Sequence, residues 1–341
     1  MQKNCLPAIF FFFLNTSAIH AQGTRGNDTI YYVYFPNSIT ARLYVSQKYT
    51  AYTLKGNGSK KLHYLPNTTL NLGIGATYHN FSLNLAYGFG FLNTDVSKGK
   101  TNYLDLQAHA YKPKWVTDFY GQLYKGYHLD PDGFAAPPGK DYYYRHDVKV
   151  TLFGLSQYRI FNPRRFSYNA AIIQNEWQKK SAGTLLAGAE VYYGVVKADS
   201  NFVPEPIQDN YTQKDIKSIN YFSIGPGAGY AYTLVIAQHI FITGSLTGNV
   251  NFSYTTEHST GNSKNHFSVN PVTRFRAAAG YNGRTWDVSA NWIADDLHFT
   301  GSNQSKYVFN TGNYRFIIAR RFNAGNRLQH HLRLVNKVFK E

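Results

Sequence analysis

Cysteine is almost missing from this sequence: its 341 residues hold one, Cys5. That residue falls in MQKNCLPAIFFFFLNTSAIHA, residues 1–21, which has a lysine near its start, an apolar run Leu6–Leu14 and a small-residue exit at Ala21. This is the pattern of a cleaved secretory signal peptide, and the apolar run is too short to span a bilayer. Cleavage is expected before Gln22. The remainder then has no disulfide, no thiolate nucleophile and no cysteine–metal site. Long apolar runs are missing as well. None reaches the ~18 residues of a transmembrane helix. There is no Ser/Gly-rich stretch, acidic block or low-complexity tract, so nothing reads as a linker. Acidic residues are few, 19 against 35 Lys and Arg, for a net charge of +16. The basic residues are scattered along an exported chain, which argues against nucleic acid and toward lipopolysaccharide phosphates, a lumen or the periplasm.

Aromatic residues are plentiful: 17% of the chain, with 29 Tyr and 24 Phe. Such a load suits aromatic girdles at two membrane interfaces. Mean hydropathy is nonetheless negative, as expected if only alternate residues meet lipid.

The pattern along the chain has a period of two. In LNLGIGATYHNFSLNLAYGFGFL (70–92), one register holds Leu70, Leu72, Ile74, Ala76 and Tyr78, then Phe81, Leu83, Leu85, Tyr87, Phe89 and Phe91. The other register is small or polar. The same alternation runs through 102–111, 222–234, 240–254 and 286–292. A soluble sheet would bury the greasy face. In a transmembrane β-barrel that face is outside, in lipid. Several runs are ten to fifteen residues long, above the usual 5–6 of globular strands and enough to cross a membrane at a tilt.

The expectation is an all-β protein, a transmembrane antiparallel β-barrel of about twelve strands. Candidate strands are 39–54, 68–79, 81–92, 101–112, 114–128, 142–160, 182–196, 218–235, 239–255, 271–282, 285–298 and 307–322. Residues 22–38 would be an N-terminal periplasmic segment, 39–322 the barrel and 323–341 a basic tail. Short connections at His79-Asn80, Lys112-Pro113, Ile236–Gln238 and Asn282-Gly283 fall on the periplasmic side, and long loops at 128–142 and 197–217 fall outside. The two halves agree only if 161–181 begins and ends on the periplasmic side. That makes it a non-spanning insertion, either a short helix tucked into the lumen or an ordinary turn with ragged strand ends. In the tail, Leu328, Leu332, Val335 and Phe339 share a helical face. It could lie on the membrane, cap the lumen or fray.

The segments 64–78, 98–107, 124–129, 166–188 and 229–242 resemble an outer-membrane β-barrel family known only as a domain of unknown function. The most specific part is QNEWQKKSAG, which ends in the Gln-Lys-Lys-Ser-Ala-Gly run 178–183. The likeness covers roughly Ile30–Phe322. It implies the barrel fold, insertion by the barrel-insertion machinery and the outer membrane of a Gram-negative bacterium. It brings no activity, ligand or catalytic residue. The basic tail departs from the usual ending and leaves open whether Phe322 or Phe339 is read during insertion.

By register, Asp105, Asp118, Asp147, Lys149, Glu190, Arg274, Arg276, Asp287 and Arg315 point inward. Charges of both signs on one wall pair into a structural network that replaces a hydrophobic core. Alternatively, Arg274, Arg276 and Arg315 form an anion-selective ladder. Gly225, Gly227 and Gly229 leave room on the inner wall for the 161–181 insertion or a ligand. A Ser–His hydrolytic pair has one candidate, His258-Ser259 with His266 nearby, and Glu257, His258 and His266 fit no metal-ligand spacing. No cofactor, metal or enzyme activity is expected. The chain reads as a monomer that passes or binds a small solute, anionic if the arginines set the preference, through a partly occluded, porin-like lumen. The alternatives are a structural or surface-interaction barrel working through loops 129–141, 197–217 and 257–270, and a lipid-modifying hydrolase.

Overall fold

The computed structural model describes residues 26–35, 38–56, 61–78, 81–92 and 95–323. The leader, the His79-Asn80 turn and the tail after Asn323 lie outside the described residues. In chain order the strands are β1 (Tyr32–Tyr34), β2 (Ser38–Lys55), β3 (Lys61–Leu65), β4 (Asn71–Tyr78), β5 (Phe81–Gly88), β6 (Asn102–Lys112), β7 (Trp115–Asp130) and β8 (Tyr144–Ile160). They continue with β9 (Glu176–Gln178), β10 (Ala182–Lys197), β11 (Ser218–Ile236), β12 (Ile240–Ser259), β13 (Asn262–Asn282), β14 (Trp286–Thr300) and β15 (Lys306–Asn323). No described helix is long and apolar enough to cross a membrane.

Each of the expected spans has a strand at its place, but the closed ring is smaller. Antiparallel pairing runs β2-β3-β7-β8-β10-β11-β12-β13-β14-β15 and returns to β2, a closed barrel of ten strands. The short β3 bridges β2 and β7 at the end that carries the long loops. Toward the short-turn end, β4 and β5 extend from β2, and β6 extends from β7. Among the described residues the facing edges of β5 and β6 form no ladder with each other. The twelve-strand ring is thereby corrected to ten strands plus three. Alternation places a side chain on a face. It does not choose a strand's neighbour.

The greasy register is outside. Ile74 is 60% exposed, Leu85 59% and Tyr87 68%, and the same holds for Leu246 and Val250 on the other side of the ring. The inside is filled in three layers. At the long-loop end lies an apolar cap of Tyr52, Tyr64, Tyr221, Phe299, Tyr307 and Phe309, completed by Phe202 and Tyr211 from the loop after β10. At the short-turn end lies a second cluster, Tyr111, Tyr158, Ile160, Phe166, Tyr168 and Ile172. A charged layer sits between them.

The expected loop 257–270 is instead mostly hairpin, since β12 and β13 stay paired up to Ser259 and Asn262. The glycines of β11 also serve a different purpose. A Cβ at Gly227 would strike the Asn249 side chain, and one at Gly225 would strike Asn251. The room they leave is taken by asparagines of the next strand, not by the insertion or a ligand.

Candidate functional site

The charged layer is built from strands whose inward residues meet across the barrel. Arg274 and Arg276 are successive inward positions on β13, each 1% exposed. Arg274 Nε donates to Asp295 directly opposite on β14. Its other nitrogens reach Tyr192 Oη at 2.5 Å, Ser156 Oγ and, at 3.4 Å, Asp118 Oδ2. Arg276 Nη2 donates to the same Asp118 oxygen. His109 Nδ1 lies 2.7 Å from Asp118 Oδ1. The guanidinium of Arg274 rests over the Tyr120 ring and that of Arg276 over Tyr168. Two cations therefore share two carboxylates in a space without water contact, the condition under which buried charges persist. Glu190 adjoins this layer and accepts from Tyr158 Oη at 3.2 Å and Tyr192 Oη at 3.4 Å.

Below the charged layer, residues 161–181 fold into the barrel mouth. The helix expected from propensity shrinks to one π turn, Asn169–Ile173, followed by β9, which pairs with β1. The lumen wall holds this plug by its backbone carbonyls. Arg42 donates to Ile173 O at 2.7 Å, and Arg321 donates to Gln174 O at 2.5 Å and Glu176 O at 3.1 Å. Asn282 donates to Ala170 O and Glu176 O, both at 3.0 Å. Trp177 Nε1 reaches Gln238 O in the turn before β12 at 2.7 Å. Of the two readings of 161–181, the tucked insertion is the one observed.

A family model described as a domain of unknown function, DUF4421, matches residues 26–322. The chain belongs to this family. Among curated proteins none matches. Solved structures similar to the DUF4421 barrel include outer-membrane expressed OmpT of Vibrio cholerae, at 11% identity and a TM-score of 0.27, over 83% of this chain and 98% of that one. A bacterial polysaccharide outer membrane secretin gives 9% identity and 0.33, over 84% and 99%. OprG from Pseudomonas aeruginosa gives 11% and 0.21, over 84% and 97%. Superpositions this loose bear on neither ligand nor activity.

The nine inward candidates divide within the DUF4421 barrel. Asp118, Glu190, Arg274 and Arg276 meet in the charged layer. Asp105 also faces in, accepting from Tyr124 Oη at 2.6 Å with Lys48 Nζ 3.5 Å away. Asp287 is buried nearer the plug and accepts from Ser289 at 2.8 Å. Arg315 faces in but stands apart, over the Tyr44 ring at 4.9 Å. Asp147 belongs to the cap, where Arg145 clamps it with two 2.8 Å bonds and also donates to the carbonyls of Ser200 and Asn201. Lys149 is a correction: it is exposed and points outward. A register shift between β7 and β8 explains the miss. Lys125 pairs with Lys149 but Tyr127 pairs with Arg145; at this irregularity Asp147 and Val148 are both buried, and the inward phase on β8 changes from odd to even numbers.

The nine candidates left out several residues of the site. Asp295 shares its strand phase with Asp287, and Arg321 shares its phase with Arg315, so the alternation that found one contained the other. Arg42 was available by the same count on β2. Tyr192 was hidden because a tyrosine carries no charge to attract notice. The hydrolytic and metal candidates do not assemble. Ser259 Oγ donates to Asn262 O at 3.3 Å, while His258 Nδ1 lies 2.7 Å from Ser263 Oγ. Glu257 turns inward to Tyr307 and Ser302, away from the outward His258. No group of metal-ligating residues occurs among the described residues.

Proposed function

We propose that this chain is an integral β-barrel of a bacterial outer membrane that is sealed by its own residues and works through its surface, without steady solute flux. Membrane placement is supported by the exposed apolar face. Each large apolar side chain left in water forgoes about 1.5–3 kcal/mol, and that face carries dozens. The ladders of the ten-strand ring pair its backbone groups without water, and the long strands fit a tilted crossing. The single observation that carries the sealed reading is the buried layer Asp118–Arg274–Arg276–Asp295, enclosed between the aromatic cap and the plug. Passage of a small solute through the lumen requires all three layers to part. Of the long loops, 197–217 is committed to the cap. Loop 129–141 leans on the cap through Phe134 and Ala135, and its exposed remainder and the β12–β13 hairpin are left to meet a partner. The barrel is read as a monomer and not as an enzyme.

The test is single-channel recording of the refolded, leader-free protein in a planar bilayer. The expected result is a silent membrane containing folded protein. Steady, anion-selective steps from the wild type would restore the solute-passage reading and return attention to Arg274, Arg276 and Arg315.

A second reading, a lipid hydrolase, rests on one contact set. Asn220 Nδ2 and Ser263 Oγ lie 3.3 and 2.7 Å from the two ring nitrogens of His258, on the outer face. With the Asn220 amide oxygen turned to the ring, His258 is held as a base toward Ser263. Fatty-acid release from phospholipid vesicles that disappears in Ser263→Ala would favour it. The sealed-barrel reading expects no release from either protein.

A further inference from the structure

Strand register brings like charges together at the long-loop end. Lys149 on β8 is the direct cross-strand partner of Lys125 on β7 and of Lys197 on β10. All three side chains are exposed on the outward face. The adjoining strands of the ring repeat the arrangement, with Lys55 on β2 opposite Lys306 on β15 and Lys61 on β3. Six consecutive strands, β15-β2-β3-β7-β8-β10, thus carry six lysines in two triads.

Direct cross-strand neighbours sit about 4.5–5.5 Å apart, and like charges placed so destabilise a sheet. Among the described residues none of the six forms an ion pair. Of the nearby carboxylates, Asp147 is engaged by Arg145, and Asp296, which accepts from Asn310, is a single charge near Lys55. The triads therefore fit an anion that comes from outside the chain.

Their level is marked by a second row. Phe153, Tyr193, Phe222, Tyr254 and Phe267 are in direct register across β8, β10, β11, β12 and β13, all outward and 42–63% exposed. Such rings gather at the headgroup boundary. Lys149 and Lys197 stand four residues beyond this row on their strands, roughly 13 Å along the chain and less in height at a barrel tilt. Flexible stems bring the ammonium groups to headgroup phosphates.

We infer that the Lys125–Lys149–Lys197 face and the neighbouring Lys61–Lys55–Lys306 face seat the phosphates of an anionic glycolipid of the outer leaflet. This rests on the outer-membrane reading above. A phosphate offers several charged acceptors, and the cross-strand spacing lets one phosphate take two ammonium groups. A zwitterionic phospholipid, whose own amine would face the lysines, matches the triads poorly.

The experiment refolds the full mature chain into phosphatidylcholine vesicles containing bisphosphorylated lipid A or its phosphate-free form. Lipid retained after extraction is measured by native mass spectrometry. Wild type should keep the bisphosphorylated form and not the phosphate-free one. A variant carrying Gln at all six lysines should lose retention by about fivefold per lysine, roughly a hundredfold at each triad, and Lys125→Gln/Lys149→Gln/Lys197→Gln alone should lose only the lipid held at its own face. Lys112→Gln/Lys114→Gln, at the opposite end of the barrel, should retain it as wild type does. Equal retention of both lipid forms, or a folded six-lysine variant that binds unchanged, overturns the inference and leaves the barrel reading standing. A wild type that folds without entering vesicles overturns both.

Discussion

Arg274 and Asp295 are direct cross-strand partners on β13 and β14, and their side chains are 0% and 2% exposed. Neither has water to fall back on. Removing one partner strands the other as a buried charge. Arg274→Met should therefore destabilise the barrel by about 3–5 kcal/mol, and adding Asp295→Leu should recover part of that loss. Urea unfolding in vesicles measures both. Additive losses in the double variant would mean that the two side chains act separately.

The plug depends on a few donors. Arg321 reaches the carbonyls of both Gln174 and Glu176. A hydrogen bond to a charged group contributes about 1.5–3 kcal/mol. Arg321→Ala should speed amide exchange at residues 167–178 by roughly ten- to a hundredfold while the strands hold their protection. Uniform acceleration over β10–β15 would show that the plug and wall open as one unit.

The bulge on β8 makes a prediction about labelling. Lys149 faces outward and Val150 is 1% exposed. In folded protein prepared without residues 1–21, which hold the only other cysteine, Cys5, Lys149→Cys should react with a water-soluble maleimide and Val150→Cys should not. Reversed reactivity would place β8 in the unbulged register.

Alternation made the strands legible because each membrane-facing strand must present a greasy residue at every second position, whatever its neighbours do. The same rule located most lumen charges. It failed at Lys149, where one bulge inverts the parity of everything beyond it. It also could not foresee β3, since KLHYL is too short to show a period and its role comes from where it lands, between β2 and β7. The insertion was found by counting sides of the membrane, not from its own residues, which read as a helix and form one turn and a short strand. The second lysine triad was out of reach, since Lys306 joins Lys55 and Lys61 only when the first and last long strands meet.

That meeting has a further consequence for the plug. Arg42 stands on β2 and Arg321 on β15, the two strands whose pairing closes the ring, and both grasp the same short stretch of chain. Their binding site for residues 173–176 does not exist until the ends of the barrel have joined, a pairing of very distant residues and so a late event. Docking of the plug then reports that assembly is complete: a barrel joined out of register, or left open, has no seat to offer it.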